Sequence, residues 1–245
     1  MTKTCSELFQ GMDCTIIGNG NEEVAGLAFR SDEVHPNDMF FCIVGTVVDG
    51  HSFAQDAIDR GATSLVAERK VYLADATDVT EVVVSDSRKA MAYASANFYD
   101  NPSRAFSLVG ITGTNGKTTT TYLVEHIASV AGNRCGVIGT VGNKIAGVME
   151  HAERTTPESP DLQKLFARMR DAGCTVVAME VSSHALDLRR TWDTDFAVTA
   201  FTNLTQDHLD YHHTFDDYFE AKALLFSKDY PARRVISIDG SWGRE

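Results

Sequence analysis

The sequence predicts an α/β protein, a small N-terminal α/β domain followed by a larger, mostly parallel central sheet of P-loop type with flanking helices. Three observations predict it. From Phe106 onward, short and almost continuously apolar runs alternate with helical patterns, the rhythm of strands buried on both faces of a parallel sheet. The first of those runs leads into a glycine-rich turn that ends in Gly-Lys-Thr. Ahead of it, Asp100-Asn101-Pro102-Ser103 combines residues that end helices and turn backbones, so the domains are read as 1–102 and 103–245.

In the first domain, Met39 to Val44, Thr63 to Ala67 and Glu81 to Val84 read as strands. Phe53 to Arg60 reads as a helix with Phe53, Ala57 and Ile58 on one face, and Ser87 to about Tyr99 as a second helix. In the second domain, strands are expected at Phe106–Thr112, Cys135–Thr140, Thr175–Met179, Phe196–Phe201 and Arg234–Ile238. Helices are expected at Lys117–Ala131, Ser159–Ala172 and Phe215–Phe226. Leu123, Ile127 and Val130 supply the first of these helices with an apolar stripe, read as its packing face. The closing residues, Ile238 to Glu245, follow directly on a strand, which predicts a sheet that stops in mid-fold and is incomplete.

A hydrophobic fraction of 43% with 23% charged residues is that of a soluble globular chain. There is no apolar run of about 18 residues to cross a membrane and no apolar N-terminal stretch to serve as a secretory signal. Cys5, Cys14, Cys42, Cys135 and Cys174 are odd in number, scattered and without a C-x-x-C pair, so reduced thiols in the cytoplasm are expected rather than a disulfide framework or zinc knuckle. The formal net charge of −12 repels nucleic acid and anionic lipid at long range. The expected ligands are small molecules held in a shaped pocket, with no nucleic acid partner and no membrane insertion; a monomer is expected, although nothing in the sequence fixes the oligomeric state.

Val109 to Thr119 carries the most specific chemistry. Glycines let successive N–H groups face one concavity, and the N-terminus of the following helix adds positive potential. Lys117 would reach terminal phosphates and the Thr118 hydroxyl suits a magnesium ligand. The usual spacing places glycine at 111. Here Ile111 stands there, with Gly110 and Gly113 to either side, so the turn is a variant. Two more strand ends carry polar residues, and ligands of open α/β sheets gather at such ends. Thr175 to Met179 ends in Glu180, either a magnesium ligand or a solvated carboxylate closing a strand. Phe196 to Phe201 leads into a loop with Asp207, His208, Asp210, His212 and His213, either a site or a polar loop. On the next helix, Lys222 falls within an apolar stripe of Phe215, Tyr218, Phe219, Leu225 and Phe226. It either snorkels outward or is a partly desolvated, reactive amine.

Taken together, Gly113 to Thr119, Thr155-Thr156-Pro157-Glu158, Met179 to Leu186, Asn203 to His212 and Ala221-Lys222 resemble the Mur ligases, most closely the MurE branch. Pro36 to Phe41 and Asp49 to Phe53 resemble that family's uridine-nucleotide domain. The resemblance implies an ATP-dependent ligase of peptidoglycan precursor synthesis that adds an amino acid to UDP-MurNAc-L-Ala-D-Glu through an acyl phosphate. It implies ATP on Gly113, Thr114, Asn115, Gly116, Lys117, Thr118, Thr119 and Asn203. One Mg²⁺ would lie near Thr118 and Glu180 and a second near His208 and a carbamylated Lys222. Lys117, Glu180, His208 and Lys222 would be the catalytic set. Ser31, Thr155, Thr156, Ser182 and Arg190 would hold the UDP-MurNAc-dipeptide.

The family's third domain, which binds the incoming amino acid, has no counterpart in these residues, so this chain alone is not expected to complete ligation. Arg30-Ser31-Asp32 replaces a common Asp-Ser-Arg, Arg154 a common asparagine and Leu188 an occasional glutamine. The alternatives are a ligase adding glutamate to folates, which shares the ATP motifs, and a nucleotide-binding module without catalysis.

Overall fold

The computed structural model describes residues 2–45, 47–71 and 78–245. These form two compact units, Met1–Asp100 and Asn101–Glu245. Between them Asp100 and Asn101 both take left-handed backbone angles, and Pro102 opens a short 3₁₀ turn.

The first unit is built on a five-stranded sheet. Its strands are β1 (Thr15–Ile17), β2 (Gly26–Ala28), β3 (Asp38–Phe41), β4 (Ser64–Ala67) and β5 (Thr80–Val83), in the order β1-β5-β4-β3-β2. Only the β1–β5 pair is antiparallel. Every residue of β3 and β4 is buried, as a central parallel strand requires. Helix α1 (Ala54–Asp59) packs through Ala54 and Ala57, whereas Phe53, expected on that face, is 42% exposed. The cause is a 3₁₀ turn over Gly50–Phe53, which rotates Phe53 off the stripe that α1 continues. Helix α2 (Ser87–Phe98) starts at Asp86, whose carboxylate accepts the N–H groups of Arg88 and Lys89, both at 3.0 Å. It buries Ala90, Met91, Ala94 and Phe98 against Met39, Phe41 and Val66.

The second unit places the candidate site. Its elements run β6 (Ser107–Thr112), α3 (Lys117–Val130), β7 (Cys135–Gly139), β8 (Gly142–Ile145), β9 (Val148–Glu150), α4 (Ser159–Asp171), β10 (Val176–Glu180), α5 (Ser183–Asp187), β11 (Val198–Phe201), α6 (Leu209–His212), α7 (Phe215–Ala223) and β12 (Arg233–Ile236). The sheet order is β9-β8-β7-β10-β6-β11-β12. From β7 to β12 the pairing is parallel, so the carboxyl ends of β10, β6 and β11 lie side by side on one edge. Glu180 pairs in register with Ile111, and Phe201 with Thr112.

Helix α4 shows why the fold is stable. Leu162, Leu165, Phe166 and Met169 recur at helical spacing and are buried against Leu108, Ile138, Val177 and Met179 of the sheet. Burying each such side chain contributes roughly 1.5–3 kcal/mol. Helix α3 departs from expectation. Leu123, Ile127 and Val130 are 55%, 67% and 76% exposed, and Thr121 is the residue that α3 buries fully. The apolar stripe therefore faces outward, and threonine rather than leucine meets the sheet. The hairpin β8–β9 and the short helices α5 and α6 add to the expected elements, and the expected helix 215–226 ends as α7 plus a 3₁₀ turn at Leu224–Phe226. Among the described residues no helix is long and apolar enough to cross a membrane.

Candidate nucleotide and metal site

The turn after β6 is shorter than the usual phosphate loop. Ile111, where that loop would bend, is a fully buried strand residue, and the chain turns two residues later at Gly113. Gly113 has φ +140°, and a Cβ there would collide with the Thr202 hydroxyl. The turn is tied to the end of β11: Thr114 N–H donates to Asn203 O at 2.9 Å, Asn115 N–H to Asn203 Oδ1 at 3.0 Å, and Asn203 Nδ2 returns a bond to Asn115 O at 3.2 Å. Helix α3 then begins without a side-chain cap, so its first N–H groups lack intrahelical acceptors and point towards the turn.

Two lysines meet behind this turn. Lys117 Nζ donates to Gly113 O at 2.9 Å and to Thr114 O at 2.8 Å. Lys222 Nζ, from α7, donates to the same Gly113 O at 3.0 Å. Lys222 is 1% exposed and does not snorkel to solvent. Its ammonium lies 4.4 Å from the centre of the Tyr218 ring, one helical turn earlier, and the Tyr218 hydroxyl shares a 3.2 Å hydrogen bond with Thr114. Burial, reinforced by the Lys117 charge, pushes the Lys222 amine down to about 7. Burial also lowers Lys117, against the pull of Glu180 and Asp207.

Glu180 closes β10 and is 1% exposed. Its Oε1 accepts from the Thr118 hydroxyl at 2.9 Å and from Thr140 N–H at 3.0 Å, and its Oε2 from the Thr140 hydroxyl at 3.2 Å. The carboxylate stands where a Cβ on Gly139 would be, so that glycine makes room for it. Thr140 also bonds the Thr155 hydroxyl at 2.9 Å. Thr156, fully buried, donates to Glu180 O at 2.9 Å and accepts from Ser182 N–H at 3.1 Å. Arg190 donates to Thr156 O at 3.1 Å and pairs with Glu158 at 2.9 Å.

A cavity of about 320 Å³ is lined by Thr114, Lys117, Thr118, Glu180, His208 and Lys222, with Thr140, Thr155, Ser182 and Ser183 on its walls. The sequence candidates thus largely converge. Thr156, Arg190 and Asn203 stand behind the walls and brace them. Thr119 is exposed beside the cavity rather than in it. Ser31 belongs to the other unit, where it lines a shallow pocket with Arg30, Asp32, Phe40 and Phe53. The substituted triplet there is internally paired, Arg30 to Asp32 at 2.9 Å, and Arg154 lies 3.7 Å from Glu158. Of the loop histidines, His208 lines the cavity, His212 is buried and His213 is exposed. Thr140, Ser183 and Tyr218 were not among the sequence candidates; Tyr218, four residues before Lys222 on the same apolar stripe, had the clearest signal.

Among the described residues no three His, Cys, Asp or Glu side chains gather closely enough to cage a metal. Magnesium needs only one or two carboxylates, because phosphate and water oxygens complete its shell. Glu180 and Thr118 offer such a hard oxygen pair beside the phosphate turn, and the residues fit a magnesium–nucleotide.

A buried lysine, a glycine turn at a helix start and an acid on the adjoining strand tip define the class: an α/β protein with its polar and charged groups gathered at the carboxyl ends of neighbouring parallel strands. Two family models match it, "Mur ligase family, catalytic domain" over residues 23–111 and "Mur ligase middle domain" over 111–245. The chain belongs to the Mur ligase family. It is 50% identical over 209 residues to the UDP-N-acetylmuramoyl-L-alanyl-D-glutamate–2,6-diaminopimelate ligase of Geobacillus thermodenitrificans, covering 85% of this chain and 42% of that one. The ligase of the same name from Clostridium botulinum is 43% identical over 239 residues, covering 97% and 49%. A solved structure of a ligase of that name superposes with a TM-score of 0.82 at 27% identity, covering all of this chain and 49% of that one. The chain spans about half the length of the curated relatives it matches.

Proposed function

We propose that this chain carries the ATP site and the UDP-substrate site of a cytoplasmic ligase that adds an amino acid to UDP-MurNAc-L-Ala-D-Glu. The relatives' names support 2,6-diaminopimelate as that amino acid. The convergence of Lys117, Thr118, Glu180, His208 and Lys222 on one cavity carries the reading. Residues 103–245 hold ATP and residues 1–102 the uridine end of the substrate, through Ser31 and its pocket.

The substrate carboxylate attacks the terminal phosphorus of ATP, releasing ADP and forming an acyl phosphate. An amino group then bonds the acyl carbon, losing one proton and displacing inorganic phosphate, and Mg²⁺, when bound, would offset the phosphate charge. The chain's own groups position and neutralise. The turn 113–119 and Asn203 cradle phosphates, with Lys117 against the terminal ones. Thr118 and Glu180 hold one magnesium, and His208 and Lys222 a second. Thr155, Thr156, Ser182 and Arg190 shape the wall against which the muramoyl peptide lies. A neutral Lys222 amine adds to carbon dioxide with loss of one proton, forming an N–C bond and a carbamate anion that suits a site between cations.

The test is calorimetric titration of the chain with ATP and Mg²⁺. Lys117→Ala abolishes binding; unchanged affinity would remove the phosphate-cradle claim. Because the chain spans half of its relatives, a second reading is a nucleotide-binding module without ligation. ADP release that depends on UDP-MurNAc-L-Ala-D-Glu and the amino acid separates the two.

A further inference from the structure

His208 reaches the cavity from an unusual backbone. It has φ +52° and ψ 25°, a left-handed conformation that costs a residue with a Cβ free energy and persists where its surroundings over-determine it. The surroundings are specific. Tyr211 OH donates to Asp187 Oδ2 at 2.6 Å, and His212 Nε2 shares a 2.9 Å hydrogen bond with the Ser183 hydroxyl. Both bonds join the turn at the end of β11 to α5, at the end of β10. Within the turn, the N–H groups of Tyr211 and His212 donate back to His208 O at 3.1 and 3.0 Å. His184 fills the gap, with its ring edge-on to His208 at 4.9 Å and tilted over Tyr211 at 4.1 Å.

We propose that Tyr211–Asp187 and His212–Ser183 form a clasp whose role is to hold His208 left-handed, with its imidazole turned into the cavity. Tyr211 and His212 are positioning residues: they act on a ligand through His208. The clasp joins the ends of β10 and β11, the strand tips that carry Glu180 and His208. It rests on the function proposed above, because it assigns His208 to the magnesium–nucleotide.

The test compares ATP affinity with and without Mg²⁺ by calorimetry. In the wild-type chain Mg²⁺ tightens ATP binding. Tyr211→Phe and His212→Phe each shrink that gain about three- to tenfold, the worth of one net hydrogen bond. His212→Gln, whose amide nitrogen reaches the place of Nε2, keeps it. Tyr211→Phe added to His208→Ala costs nothing further, since the residue it orients is already gone. Tyr211 is partly exposed and the change removes a single oxygen, so this variant folds even where His212→Phe does not. A wild-type magnesium gain in Tyr211→Phe, or an equal loss with and without His208, overturns the clasp. A wild-type chain whose ATP affinity ignores Mg²⁺ fails at the functional reading itself, and the clasp goes with it.

Discussion

Replacing Lys222 by methionine should make the C-terminal unit more stable at pH 6, and the advantage should fade as pH rises. Lys222 is 1% exposed, and its amine falls from an ordinary 10.5 to about 7 in the folded chain. That depression corresponds to roughly 5 kcal/mol of disfavour for the folded ammonium. Below pH 7 both folded and unfolded chains hold the proton, so the whole cost weighs on the fold. Between pH 7 and 10.5 the folded chain has released its proton while the unfolded chain keeps it. Stability therefore climbs with pH through that window, and the cost is gone above it. Methionine removes the charge at similar volume, and Gly113 O keeps Lys117 as a donor at 2.9 Å. What methionine loses is the contact of the ammonium with the Tyr218 ring and one hydrogen bond, together about 2 kcal/mol. The expected net gain is about 3 kcal/mol at pH 6, falling to zero or below by pH 9.5. Trp192 and Trp242 both lie in residues 101–245, so urea unfolding followed by tryptophan fluorescence reads this unit alone. Carbonate-free buffer keeps the amine unmodified. A methionine variant that is less stable at pH 6, or a difference that ignores pH, would refute the reasoning.

Gly139→Ala should push the Glu180 carboxylate off Thr118 and Thr140, and so weaken Mg²⁺ in the ATP complex by roughly 10–100-fold, read as the magnesium dependence of nucleotide affinity. Ile127→Lys, at a position 67% exposed, should change the stability of the unit by no more than about 0.5 kcal/mol in the same urea assay. A loss of 2–5 kcal/mol would put Ile127 in a core after all.

Strands of the central sheet were legible because parallel strands buried on both faces are continuous apolar runs, and β6, β7 and β10 begin and end within a residue or so of where those runs do. Helix α4 was legible because its stripe is the face it buries. The same rule misplaced α3. Periodicity shows that Leu123, Ile127 and Val130 share a face but not which way that face turns, and the direction is fixed by the turn at Gly113 and by the fit of Thr121 to the sheet. In the site, residues with a chemical signature, Lys117, Thr118, Glu180 and His208, were readable from their places at strand ends. Thr140 and Ser183 were not: a threonine and a serine become wall residues only once β7 and β10 are neighbours, and sequence separation hides that. Lys222 was readable as a lysine in an apolar stripe, but the choice between snorkelling and burial needed Gly113 O to be in reach.

The proposed phosphate site has to be compatible with a net charge of −12. Long-range repulsion from the surface is screened over roughly 8 Å at physiological ionic strength. Within the cavity the relevant charges act at contact distance. Lys117 and Lys222 share one carbonyl oxygen; burial lowers both amines, and the Lys117 charge lowers Lys222 further. Glu180 and Asp207 pull Lys117 the other way, but Glu180 accepts its hydrogen bonds from Thr118 and Thr140 rather than from either amine. The two amines are therefore left short of negative charge beside the start of α3, where the helix adds to the same deficit. An entering phosphate would relieve all three at once, so under the proposed function phosphate affinity is expected to rest on this one turn of chain rather than on the surface.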